Sequence, residues 1–166
     1  MRRAATALGA VLLVLSVAGP VRAAEAFNAK TNYILYCQGC HGADGVGVLT
    51  DQVPPLANAM GYFLHAPAGR AYLIQVPGAA YAPVDDGQLA NLLNYALRRF
   101  SAAELPANFL PYSREEVARE RRSHVDIVSL RAELVAEITE RLGVRLWTLD
   151  NPTPVSPGAR GPDAPE

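Results

Sequence analysis

Apolar positions change their spacing along this chain, and each change marks an element. Ala7 to Ala18 is a continuous apolar run behind the basic start Met1-Arg2-Arg3, and Gly19-Pro20 ends it. That run is short for a bilayer span, and small residues follow at Val21-Arg22-Ala23 and Ala24-Glu25-Ala26. The layout predicts a secretory leader over residues 1–26, cut after Ala23 or Ala26. From Ala29 to Cys37 the pattern predicts a short helix, with Tyr33, Ile34, Tyr36 and Cys37 on neighbouring faces. Gly42 and Gly45 to Gly47 punctuate a loop, and Val53-Pro54-Pro55-Leu56 stiffens the chain beyond it. A second helix is expected over Pro67 to Val76, with Tyr72, Leu73 and Val76 apolar and Pro77-Gly78 as its stop. A third starts at Asp85-Asp86, where Leu89, Leu92, Leu93, Ala96, Leu97 and Phe100 recur at helical spacing. Arg98-Arg99 stand at its end, where the dipole favours cations. Such a helix is expected to pack across the first.

Beyond Phe100 the texture shifts toward charge. Pro106, Pro111 and Tyr112 suggest an extended strap, and Ser113-Arg114-Glu115-Glu116 has the spacing of a capping box opening a charged helix. A last helix runs from Asp126 to Leu142, with Ile127, Leu130, Leu134, Ile138 and Leu142 three or four residues apart and Gly143 behind it. Its apolar face is suited to covering the preceding module or to docking a partner. Arg119, Arg121 and Arg122 have Glu115, Glu116 and Glu120 within helical reach, so they are expected on a solvated face. Asn151 to Glu166 is rich in Pro and Gly and buries no core. The chain thus divides into the leader, a module over residues 27–100, a helical extension over 101–150 and a disordered tail over 151–166, all-α throughout.

Charge and cysteine content narrow the function classes. The net charge of −1 becomes about −4 once a leader ending at Ala23 takes Arg2, Arg3 and Arg22 with it. No basic stripe survives to hold a nucleic acid, and membrane contact is expected only if the leader stays uncleaved. Two cysteines make no disulfide framework.

Those two cysteines stand in Cys37-Gln38-Gly39-Cys40-His41, the signature for covalent haem attachment. Two thiols in one turn add across the vinyl groups of one haem edge, and the neutral imidazole of His41 then supplies an axial iron ligand. A redox pair, a disulfide or half of a zinc site are the other uses of such a motif. The last needs further donors, for which only His65 and His124 remain. Val53-Pro54-Pro55-Leu56 can offer a carbonyl to the His41 N–H and so orient the ring, or form a simple Pro-rich turn.

With the tyrosine-bearing helix before the motif, the Gly-rich loop and Pro-Pro-Leu after it, and the amphipathic Asp86-Gly87-Gln88-Leu89-Ala90-Asn91-Leu92-Leu93-Asn94-Tyr95, residues 28–100 resemble the class I c-type cytochromes. The resemblance implies a small all-α wrap around one covalently attached haem c. It also implies single-electron transfer between a periplasmic oxidoreductase, such as a dehydrogenase, and a downstream acceptor. The chain departs from that family where the distal methionine is usual: the loop Gly78-Ala79-Ala80-Tyr81-Ala82-Pro83-Val84 has none.

Met60, the only methionine outside the leader, is therefore the leading distal ligand, with His65, Tyr81 and an open iron as the alternatives. Arg70 is a candidate partner for a haem propionate, because its guanidinium forks onto a carboxylate. Tyr62, Tyr72 and Tyr81 are candidates to line the pocket. Nothing pairs a nucleophile with a base, so no enzyme is expected. A haem-based small-ligand sensor and a cytochrome subunit of a periplasmic dehydrogenase remain as alternative roles.

Overall fold

A computed structural model describes residues 19–47 and 52–148 of the chain. The apolar run of the expected leader and the whole Pro-rich tail lie outside the described residues. Helix α5, Asp86–Phe100, is the axis of the fold. Asp85 caps it by accepting from Gly87 N at 2.8 Å and Gln88 N at 3.0 Å, and the Gln88 side chain answers by accepting from Asp85 N at 3.0 Å. Every apolar position of the expected stripe is buried, Leu89 and Leu97 completely. Each of those two leucines contributes about 2 kcal/mol in transfer free energy.

Helix α1, Gly19–Tyr36, packs across α5 and starts upstream of the Ala29 read from spacing. Its buried Tyr33 meets the rings of Phe100 and Tyr95, with centroids 4.9 and 6.0 Å away. The connecting loop is folded back on the same corner: Leu56 N donates to Gly45 O and Asn58 N to Phe100 O. Gly45 has φ of +80°, and a Cβ there would lie 2.8 Å from the Phe100 ring, so only glycine closes this corner.

Next comes a 3-10 turn, Met60–His65, followed by α3, Gly69–Gln75, shorter at both ends than expected. Gly69 lets α3 start directly on that turn, since a Cβ would lie 1.6 Å from the Phe63 carbonyl oxygen. Pro77-Gly78 does not simply stop the chain. Pro77 opens one further turn, α4, Pro77–Ala80, at the position where its missing N–H costs nothing.

The extension closes on this framework through α6, Arg114–Glu120, and α7, Ile127–Leu142. Ser113 caps α6, accepting from Glu116 N at 3.2 Å. The expected reciprocal half of the box is replaced, because the Glu116 carboxylate turns to Arg70 instead. Arg121 also departs from the solvated face expected of it: its side chain is 17% exposed and donates to the carbonyls of Ala80, Ala82 and Val84 and to Asp86. It thereby holds the link between α4 and α5. Asp126 caps α7, and Gly143, left-handed at φ 66°, ends it. Val117, Leu134, Ile138 and Leu146 join the same buried cluster as Tyr33, Leu89 and Phe100. The described residues form no sheet, and the fold is all-α, as expected.

Candidate haem-binding site

The attachment motif occupies the corner where α1 ends. Cys37 starts a single turn, α2, Gln38–His41, with Cys37 N bonded to Tyr33 O and His41 N to Cys37 O, both at 2.9 Å. Cys37, Cys40 and His41 therefore sit three and four residues apart on one helical turn. The Tyr33 hydroxyl donates to Gly42 O at 2.6 Å and ties the end of the turn back to α1. Burial pushes that phenol up to about 12, so it stays a donor. Both thiols are free, Cys40 exposed and Cys37 half-buried. Burial pushes the Cys37 thiol up to about 11, with the neighbouring Cys40 adding to the effect.

The motif opens on a cavity of about 540 Å³, within the usual range for cofactor pockets. Cys37, Cys40 and His41 line it together with Pro54, Pro55 and Met60. Hydrophobic side chains from α3, α5 and α7 complete an apolar wall. His41 Nδ1 is buried with no hydrogen-bond partner among the described residues. Burial holds the imidazole below its ordinary value, and the Pro54 carbonyl pulls weakly the other way without closing a full bond to Nδ1. The ring is thus neutral near pH 7, the state that ligates iron. Met60 is 5% exposed. Two free thiols, a neutral imidazole and a buried thioether around one apolar cavity fit a haem held through Cys37 and Cys40. A zinc centre fits less well, because among the described residues no three His, Cys, Asp or Glu side chains cluster to hold an ion directly.

The other candidates go elsewhere. His65 is not on the cavity wall: its Nε2 lies 2.9 Å from Glu104 O, and its own carbonyl accepts from Arg141 at 3.0 Å. Tyr81 is 80% exposed and Tyr62 also stands off the lining, so of the three tyrosines named from sequence only Tyr72 reaches it. Arg70, expected at a propionate, does not line the cavity. It makes a two-pronged pair with Glu116 at 2.8 and 2.7 Å, donates to Leu110 O at 2.8 Å and lies 4.3 Å from the Tyr112 ring centre.

Sequence reasoning did not single out Arg131, which reaches the wall from α7 beside the Ile127 already placed on that helix's apolar face. Its signal was present in the spacing: Ile127, Arg131, Leu134 and Ile138 form one helical stripe in which an arginine interrupts apolar residues.

No family model matches the chain. It is similar to two curated proteins of Thermus thermophilus, each named cytochrome c-552. One is 29% identical over 128 residues, covering 66% of this chain and 84% of the relative. The other is 30% identical over 103 residues, 51% of this chain and 78% of the relative. The chain belongs to the c-type cytochromes. The longer match takes in about two thirds of this cytochrome, far more than the attachment motif alone accounts for. No helix among the described residues of this cytochrome is long and apolar enough to cross a membrane.

Proposed function

We propose that this chain is a class I, mono-haem c-type cytochrome of the periplasm that carries single electrons between a periplasmic oxidoreductase and a downstream acceptor. The observation that carries the reading is that Met60 and His41 line one apolar cavity beside both attachment thiols. Bound there, the haem supplies an iron that cycles between ferric and ferrous states. Cys37 and Cys40 would hold it by thioether bonds, and His41, neutral because it is buried, would ligate its iron. Met60, buried on the same lining, would supply a second ligand, and a thioether there raises the potential relative to a second imidazole. The apolar wall would limit water around the cofactor. The leader over residues 1–26 carries the chain out of the cytoplasm, and thioether attachment is completed outside it.

The test is the absorption spectrum of the purified holoprotein, oxidised and reduced, with and without carbon monoxide, for the parent and Met60→Ala. A low-spin ferric spectrum with a sulfur-to-iron charge-transfer band, abolished by the substitution, is expected. A high-spin parent that takes up carbon monoxide rapidly sinks the carrier reading and favours an exchangeable sixth site.

A further inference from the structure

Arg131 is the feature of the cavity that electron carriage through His41 and Met60 leaves unused. Among the described lining residues no other Arg, Lys, Asp or Glu stands on that wall. The guanidinium is held in place: Nη1 donates to the Tyr72 hydroxyl at 2.8 Å and Nη2 to the Trp147 carbonyl at 2.9 Å. It also lies 5.3 Å from the Phe63 ring centre and 5.6 Å from that of Trp147. Among the described residues its hydrogen-bond acceptors are both neutral, and no carboxylate stands within ion-pair distance of it. Arg131 is half-buried, so water solvates part of its charge while its described protein partners supply no counter-ion. The planar group also has more N–H donors than these two bonds consume.

We propose that Arg131 is the positioning residue for a haem propionate, so that the C-terminal extension gives the cofactor its fixed counter-charge. This rests on the haem reading above. Haem brings carboxylate arms into a cavity with one fixed cation on its described wall, and a guanidinium fork is matched to a carboxylate. Held there, the cation favours the ferrous state, since the ferric iron carries one more positive charge. It also keeps the propionate ionised across neutral pH. Because Nη2 grips Trp147, the same side chain ties the end of the described chain to the cofactor.

The experiment is a spectroelectrochemical titration of the holoprotein between pH 5 and 8 for the parent, Arg131→Met and Arg131→Lys. In Arg131→Met the ferric/ferrous equilibrium should shift roughly tenfold toward ferric, ~59 mV for one electron. The potential should also acquire a pH dependence that the parent lacks, with haem content and spin state unchanged. Arg131→Lys, which keeps the charge but loses the fork, should recover most of the shift. A folded, fully loaded Arg131→Met with the parent's potential at every pH overturns the proposal while leaving the haem reading intact. If the Met variant does not accumulate, Arg131→Gln takes its place: a potential shifted toward ferric with a pH slope absent from the parent supports the proposal, and the parent's potential at every pH overturns it. A parent chain without covalently bound haem defeats the underlying reading instead.

Discussion

Replacing Arg70 by Met tests whether this side chain belongs to the extension or to the cofactor. Its pair with Glu116 is two-pronged and partly shielded, with side chains 30% and 20% exposed. A fully exposed pair is worth at most ~1 kcal/mol, and partial burial raises that toward ~1.5 kcal/mol. Contact with the face of the buried Tyr112 ring adds about 0.5–1 kcal/mol. The expected loss is therefore about 2 kcal/mol, a Tm lower by roughly 8 °C for a fold of this size. Thermal unfolding of the holoprotein, monitored by circular dichroism, reads it directly. A cycle with Glu116→Gln should return a coupling of about 1 kcal/mol, since either single change breaks the same pair. Haem content and potential should stay at the parent's values, because Arg70 is absent from the cavity wall. A shifted potential with no coupling to Glu116 would refute the reasoning and return Arg70 to a propionate.

Other perturbations probe the supports of the site. Ser101→Ala strips the hydroxyl that accepts from Gly61 N and donates to Glu104, both at 2.8 Å, in a position 1% exposed. It should cost about 2 kcal/mol in chemical denaturation and weaken the sulfur-to-iron band through the neighbouring Met60. Gly69→Ala should leave little soluble holoprotein, because its Cβ meets the Phe63 carbonyl oxygen at 1.6 Å. Gly39→Ala, where no atom stands within 4 Å, should attach haem and melt like the parent in the same expression trial. Backbone donors from Gln88 and Gly87 hold Asp85 below the ordinary carboxylate range, as the Ser129 hydroxyl and backbone do for Asp126. Depressed carboxylates stabilise the fold above their ordinary value of 3.8 and lose that contribution as pH falls through their folded values. Melting curves in the acid limb should therefore fall more steeply for the parent than for the Asp85→Asn, Asp126→Asn double variant, and equal slopes would remove the caps from the account.

What was legible in the sequence was whatever rests on short range. The stripe of α5, the Asp126 and Gly143 boundaries of α7, and the pentapeptide from Cys37 to His41 depend on neighbours within a few residues, and each lies where spacing placed it. The upstream start of α1 and the extra turn at Pro77 were less visible, since proline is at once a helix stop and a favoured first residue. Charged side chains were least legible. Arg70 has Glu115 and Glu116 far along the chain, with its true partner 46 positions away, and Arg121 reaches carbonyls 37 to 41 positions back. Local periodicity sees only the helical neighbours of such residues. Arg131 was hidden for the opposite reason: it sits on a buried stripe, where an arginine is easily taken for the edge of a solvated face.

That α7 supplies part of the cavity wall sets an order on how the molecule is made. Synthesis delivers the motif first, then α3 and α5, and the side bearing Ile127 and Arg131 only near the end. Until that side docks, the wall lacks Ile127 and Arg131. A cofactor reaching the pocket before that side docks would meet an opening there, and α7 would then close behind it. A chain ending before α7 would keep the means of attachment yet lack the part that seals it.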